Sequence, residues 1–291
     1  MKNTPLFATA LLALTISGML VSGCQSGDSQ FTVAVIPDTQ NMVDFKHQKA
    51  AGFALDAAEL FIAEMQYIAN NTVSNGGDIA FVASVGDVWQ HQTLAIDPDH
   101  SARGFKVIDN AIFAQEILVT DQTTKVEMPK ALEGYQLIAA TGIPFGVAPG
   151  NHDYDAMWSD SSHVPDYTRI KELLSPEGKL TRYDPAILGM LHIGGLTNFT
   201  TVFGAHTAFF KDKPWYVSSF NNGANSAQLF SAGGYTFLNI ALEMQPADEV
   251  LAWAQSVIDE YAGLPTLITT HDYINQHGER SPGAIIDLKR V

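Results

Sequence analysis

Four of the five β-rich runs in this chain end on metal-binding side chains, so one edge of the sheet must carry polar chemistry. The runs are FTVAVIPD (31–38), IAFVASVGD (79–87), IPFGVAPGNHD (143–153), YTFLNIALE (235–243) and PTLITTHD (265–272). Each is β-branched or aromatic and closes on polar or glycine residues, as strands do. The ends that matter are Asp38, Asp87, Asn151 with His152, and His271. Between the runs lie helical patterns. AGFALDAAELFIAEMQYIAN (51–70) and ADEVLAWAQSVIDEYA (247–262) repeat apolar residues at three- and four-residue steps. Further helices are expected around 102–118 and 128–140, with a short one near YTRIKELLS. Such alternation predicts an α/β layered fold, in which ligands gather at the carboxyl ends of the strands.

Composition narrows the function classes. With 46% hydrophobic and 16% charged residues the chain can bury a sizeable core. The balance is acidic, 16 Lys+Arg against 31 Asp+Glu. No general nucleic-acid surface is therefore expected, since phosphate backbones select a basic face. No G-x-S-x-G elbow supports an acyl hydrolase.

The first residues, MKNTPLFATALLALTISGMLVSGC, run from one Lys through an apolar stretch to small residues. This is the layout of a secretory signal, too short and interrupted for a membrane span. VSGC resembles a bacterial lipoprotein box. It implies a signal peptide over 1–23, lipidation at Cys24 and a polar tether over 24–30. Cys24 is the only cysteine, which leaves no disulfide to propose. The expected location is the bacterial cell envelope, exported and lipid-anchored; Gln25 points to the outer membrane.

Residues 31–291 are read as one domain. The stretch from about 155 to 234, rich in Gly, Asn, Ser and aromatics, is read as an insertion folded onto it. Its Trp158, Trp215, Tyr216 and Phe220 either line a substrate cleft or seal the insertion against the body. Sealing is the commoner role.

Singly these residues are ordinary: a strand-end Asp often caps a helix, and a lone His is usually structural. Their order is specific. Asp38, then Gly86-Asp87, then GNHD at 150–153, then His271 in THDY, resembles the calcineurin-like metallophosphoesterases over roughly residues 31–291. The resemblance implies a layered α/β/β/α sandwich of mixed sheets and hydrolysis of phosphomonoesters or phosphodiesters. The cofactors implied are two divalent or trivalent metal ions, Mn, Fe or Zn. Two such ions about 3.5–4 Å apart activate water and neutralise phosphoryl charge. By resemblance Asp87 bridges the ions, Asp38 holds the first, and Asn151 and His271 hold the second. His152 is the catalytic histidine, bonding the phosphoryl group and protonating the leaving oxygen. Asp153 either orients that imidazole or caps a turn. Glycines 86 and 150 let backbone approach closely.

Two departures stand out. The family has Asp-x-His in its first block; here that His is Gln40. Either Gln40 ligates through its amide oxygen, or it holds a coordinated water, or another side chain such as His91 takes its place. Purple acid phosphatases place a Tyr three residues after the bridging Asp; here it is Gln90, so no charge-transfer iron site is implied. The family's last block, Gly-His-x-His, is also absent: only His277 follows His271, in QHGER. The block is expected beyond Val291. The alternative is a non-catalytic envelope-binding lipoprotein with a degenerate metal site. Substrates compatible with the resemblance include small phosphoesters, nucleotides and phospholipid head groups, with the membrane reached only through the lipid anchor.

Overall fold

The computed structural model describes residues 30–102, 121–156, 169–173, 176, 191–244, 246–271 and 286–287. The leader, Cys24, most of the tether, Trp158, His277 and most of the helix expected at 102–118 lie outside the described residues. Among the described residues, no helix is long and apolar enough to cross a membrane.

The chain is mixed α/β, with two main sheets and helices packed on them. It opens with β1 (Thr32–Ile36) and the short helix α1 (Gln40–Val43). Helix α2 (Ala57–Asn70) starts six residues later than its periodicity predicts, because the Asp56 carboxylate caps it by accepting from the Glu59 amide at 3.3 Å. Strand β2 (Ile79–Ser84) is followed by α3 (Pro98–Ala102), a π-type turn (Thr123–Glu127) and α4 (Met128–Ala140). After β3 (Phe145–Val147) and α5 (Thr197–Phe203) come β4 (Tyr216–Phe220), β5 (Asn225–Ala232) and β6 (Tyr235–Ala241). Helix α6 (Asp248–Glu260) and β7 (Thr266–Thr269) follow. Leu191–His192 and Ile286–Asp287 add a short parallel pair.

The first sheet is parallel, in the order β1-β2-β3. Every residue of β2 is buried, as expected for a central parallel strand covered on both faces. Val82 turns toward α2 and α4, where Phe61, Met65, Ala131 and Ile138 close the core. On the same side Tyr135 Oη donates to Ser84 Oγ at 2.7 Å. Phe81 turns to the other face and stacks on Phe230 of β5, with ring centroids 4.6 Å apart. The second sheet is mixed, in the order β4-β5-β6-β7: β4-β5 and β5-β6 are antiparallel, β6-β7 parallel. Its other face packs Ala227, Leu238 and Ile240 against Val250, Ala254 and Val257 of α6.

The contact between the sheets is partly polar. Asn239 Nδ2 donates to Gln228 Oε1 at 2.7 Å, Gln228 Nε2 to Ser226 Oγ at 2.8 Å, and Thr269 Oγ1 to Asn239 Oδ1 at 3.0 Å. This seam lies against Gly146 of β3, where a Cβ would stand 2.8 Å from Asn239 Nδ2.

All five expected strands form, each shorter than its apolar run. Within the stretch 155–234, read as an insertion, β4 and β5 are strands of the second sheet. Trp215 and Tyr216 pack against the main core, and Phe220 stacks on Trp253. These three aromatics seal the fold.

Where α4 crosses α2, Gly134 faces Phe61 and Met65. A Cβ there would stand 2.5 Å from Phe61 Cζ and 3.0 Å from Met65 Cγ, both fully buried side chains. Gly-to-Ala inside a helix normally gains about 1 kcal/mol. Here overpacking reverses the sign, and Gly134→Ala is expected to destabilise by about 1–3 kcal/mol. Urea unfolding monitored by circular dichroism would check this, and a stabilised variant would refute the packing.

Candidate metal centre

The carboxyl ends of β1, β2, β3 and β7 converge, and the loops leaving them are laced together. The Val85 amide donates to Ile36 O at 3.1 Å, and the Thr39 amide to Asp87 O at 3.1 Å. Just past β2, Gly86 and Asp87 both take left-handed backbone, with φ of 101° and 50°. That turn reverses the chain and raises the Asp87 carboxylate into the cluster. Val88 and Trp89 then dive into the core, where Trp89 stacks over Phe203. An aromatic anchor next to a strained turn keeps the carboxylate in place.

Close approach of the loops depends on glycine at two positions. A Cβ on Gly86 would collide with the Gly150 amide nitrogen and stand 2.8 Å from Ala148 O. One on Gly150 would collide with Asp87 Oδ1 and stand 2.8 Å from His271 Nδ1.

Asp38, Asp87 and His271 present ligand atoms that all lie within 4.8 Å of one another. His271 Nδ1 is 2.9 Å from Val85 O. A carbonyl oxygen only accepts, so Nδ1 carries hydrogen. Nε2 then points at Asn151 Oδ1 (3.1 Å) and Asp87 Oδ2 (3.3 Å). Without a cation, two oxygens and a ring nitrogen crowd together, and a proton must hold them. Burial opposes the charged imidazole, but the hydrogen bond and charge of Asp87, with Val85 O and Asp38, outweigh it and raise His271 to about 9. Burial would also raise Asp87, yet its bond from His271 and the charges of His152 and His271 hold it below the usual carboxylate range. Asp38, half exposed, is shifted upward by desolvation, and Asp87 adds to that against the pull of His271.

This donor set fits a metal ion. Ligand bonds of about 2.0–2.2 Å at tetrahedral or octahedral angles put neighbouring donors roughly 3–3.5 Å apart. The Nε2–Oδ1 and Nε2–Oδ2 separations fall in that span. Gln40 bears on the same question. Its Oε1 is buried and accepts no hydrogen bond, a state that costs about 1–3 kcal/mol unless a donor or cation offsets it. A ligated cation or a water held by Gln40 would each offset that cost.

His91 is not among the three side chains that meet at this centre. It sits in a second buried group with Asp44 and Glu127, its Nδ1 2.7 Å from Glu127 Oε1 and 3.8 Å from Asp44 Oδ1. Here the carboxylate oxygens already have protein partners. Glu127 Oε2 accepts the amides of Gln90 and His91 at 3.2 and 3.0 Å. Asp44 Oδ1 accepts the Lys46 amide at 2.9 Å, and Oδ2 lies 3.3 Å from His47 Nδ1. The group braces the loop after Asp87. Sequence reasoning missed Asp44 and Glu127, since Glu127 reads as an ordinary acid ahead of a helix.

His152 stands at the rim of the cluster. Its amide donates to Asp87 Oδ1 at 2.8 Å, and its Nδ1 donates to Gln90 O at 2.7 Å. Asp153 does not orient it. Fully buried, Asp153 accepts the Val88 amide on Oδ1 (2.9 Å) and the Gly150 amide on Oδ2 (2.8 Å), tying the second and third blocks together. Burial and then the charge of Asp87 push its carboxyl up to about 8, against the two amides. Its role is the loop cap; Gln90 supplies the imidazole's partner.

A cavity of about 320 Å³ lined by His100, Tyr154, Thr197 and Glu243, among others, takes in none of these metal-centre side chains.

No family model matches the chain, and no curated protein matches it at a significant level.

Proposed function

We propose that the chain is a metal-dependent phosphoester hydrolase of the calcineurin-like type, with its sheets and helices layered α/β/β/α. One observation carries this reading: on the carboxyl edge of the sheets His271 Nε2 lies 3.1 Å from Asn151 Oδ1 and 3.3 Å from Asp87 Oδ2, the imidazole's other nitrogen being locked by Val85 O. Asp38, Gln40, Asp87, Asn151 and His271 would hold two metal ions, Mn, Fe or Zn, with Asp87 shared between them. Bound ions supply a low-pKa water and neutralise charge on the phosphoryl oxygens.

The protein's own groups do the rest. Asp38 and Asp87 bring the negative charge that retains the ions, and the amides of Asn151 and Gln40 add oxygen donors without further charge. With Nδ1–H given to Gln90 O, a second proton on Nε2 makes the His152 ring an imidazolium, which would pass that proton to the leaving oxygen and return to the neutral Nδ1–H form. The exported, Cys24-anchored location expected from the leader would place substrates outside the cytoplasm.

The test uses the full-length protein, including any sequence beyond Val291. About two ions per chain and hydrolysis of p-nitrophenyl phosphate or its bis ester are expected. Chelation should abolish turnover and added Mn, Fe or Zn restore it. A protein that retains no metal and turns over neither ester would overturn the reading.

A further inference from the structure

The buried brace beyond the metal centre reaches His152 through a single peptide unit. Glu127, fully buried at the end of the π-type turn, takes the His91 amide on Oε2 at 3.0 Å. That N–H belongs to the same planar unit as the Gln90 carbonyl. In a trans peptide the N–H and C=O point in opposite directions, so holding one aims the other. The Gln90 carbonyl is the group that accepts from His152 Nδ1 at 2.7 Å. Glu127 Oε2 also takes the preceding amide, Gln90 N, at 3.2 Å, and Oε1 takes His91 Nδ1 at 2.7 Å. The peptide is therefore held at both ends and cannot flip without releasing a buried carboxylate.

We propose that Glu127 is a positioning residue that fixes the tautomer of His152 through the Gln90–His91 peptide. The proposal rests on the reading of His152 as the proton donor to the leaving group, but its structural half stands apart from activity. With the Gln90 carbonyl held in place, only the Nδ1–H form of the ring makes the 2.7 Å bond, and Nε2 is the nitrogen kept for substrate. The arrangement does what a carboxylate does in a Ser-His-Asp triad, with a peptide group inserted between acid and imidazole. A peptide whose N–H is bonded to a carboxylate is also a better acceptor at its C=O, because the bonds polarise one another. Asp44 completes the brace, 3.8 Å from His91 Nδ1, without touching this path.

Histidine-labelled ¹⁵N spectra of the full-length protein test this directly, with the His152 signals assigned by their loss in His152→Ala. The wild type is expected to show His152 protonated at Nδ1, with or without bound metal. Glu127→Met keeps the length of the side chain and removes both acceptors. It should give mixed tautomers at His152 and lower kcat on an alkyl phosphoester about 10–100-fold, with KM and metal content within twofold of wild type. In a His152→Ala background the same change should alter kcat less than twofold. A neutral wild-type His152 ring that carries its proton on Nε2 overturns the proposal even if Glu127→Met fails to fold. So does an unchanged tautomer in the variant, or multiplicative kinetic effects. If instead the tautomer shifts in Glu127→Met while His152→Ala keeps wild-type kcat, the positioning link stands and the catalytic reading of His152 falls.

Discussion

Gly150→Ala is expected to disable the centre while leaving most of the fold intact. The added Cβ would collide with Asp87 Oδ1, stand 2.6 Å from the Asp87 amide nitrogen and 2.8 Å from His271 Nδ1. Two of these neighbours are functional side-chain atoms and the third is backbone. None is the far end of a flexible surface chain. Relief must come from moving the β3 loop away from the β2 loop, yet Gly150 N is held by Asp153 Oδ2 at 2.8 Å and abuts Gly86. Overpacking of this kind costs about 1–3 kcal/mol. The functional cost is larger, because displacing a catalytic group by about 1 Å lowers rates roughly 100-fold. The variant should melt a few degrees lower, retain less metal by elemental analysis, and hydrolyse phosphoesters at least about 100-fold more slowly. Wild-type metal content and rate in a folded Gly150→Ala protein would mean that the two loops do not meet as described.

Asp87→Asn separates charge from shape. Asp87 sits at φ 50°, and Asn is among the few residues that adopt this conformation readily. The amide can also keep an oxygen on the His152 N–H, so no cavity or strain is introduced. What disappears is the negative charge that favours the proton on His271 and, in the proposed enzyme, joins two cations. The variant is expected to fold with unchanged circular dichroism and a melting temperature below that of the metal-free wild type near neutral pH. The lowered Asp87 carboxyl and the raised His271 imidazole both mark charges that favour the folded state there, and the variant loses their pairing. Bound metal should fall below about one ion per chain. Activity should fall by more than the roughly 10–100-fold typical of losing an outer partner of a metal ligand. Full activity in Asp87→Asn would remove Asp87 from the site.

Much of the architecture was legible because strands and helices write their periods into the sequence. The apolar runs ending on Asp38, Asp87 and His271 marked both the sheets and the edge where chemistry gathers. The helix at 128–140 formed as its pattern predicts. What escaped was anything carried by backbone or by polar burial. Strands β4 and β5 are written in Ser, Asn, Gln and aromatics, and the buried Gln228 amide of β5 is satisfied by Ser226 and Asn239 within the second sheet, where no hydropathy pattern registers it. The partner of His152 is a carbonyl, which every residue has, so no side-chain motif could point to Gln90. Asp153, adjacent in sequence to His152, was an easy partner to suppose. Its two oxygens are taken by amides from loops that are distant in sequence.

The polar seam between the sheets also acts as a ruler. Strand β7 runs parallel to β6 and carries His271 two residues beyond its end, so its longitudinal setting decides the height of the imidazole over Asp87. Apolar contacts alone tolerate sliding, but Thr269 is notched to Asn239, and Asn239 to Gln228. A slip by one residue, about 3.3 Å, would strand these buried amides and carry His271 out of reach of an oxygen now 3.3 Å away. An interior that would pack as well with leucine thus trades some adhesion for graduation marks, and the distance they set is the one between two metal ligands.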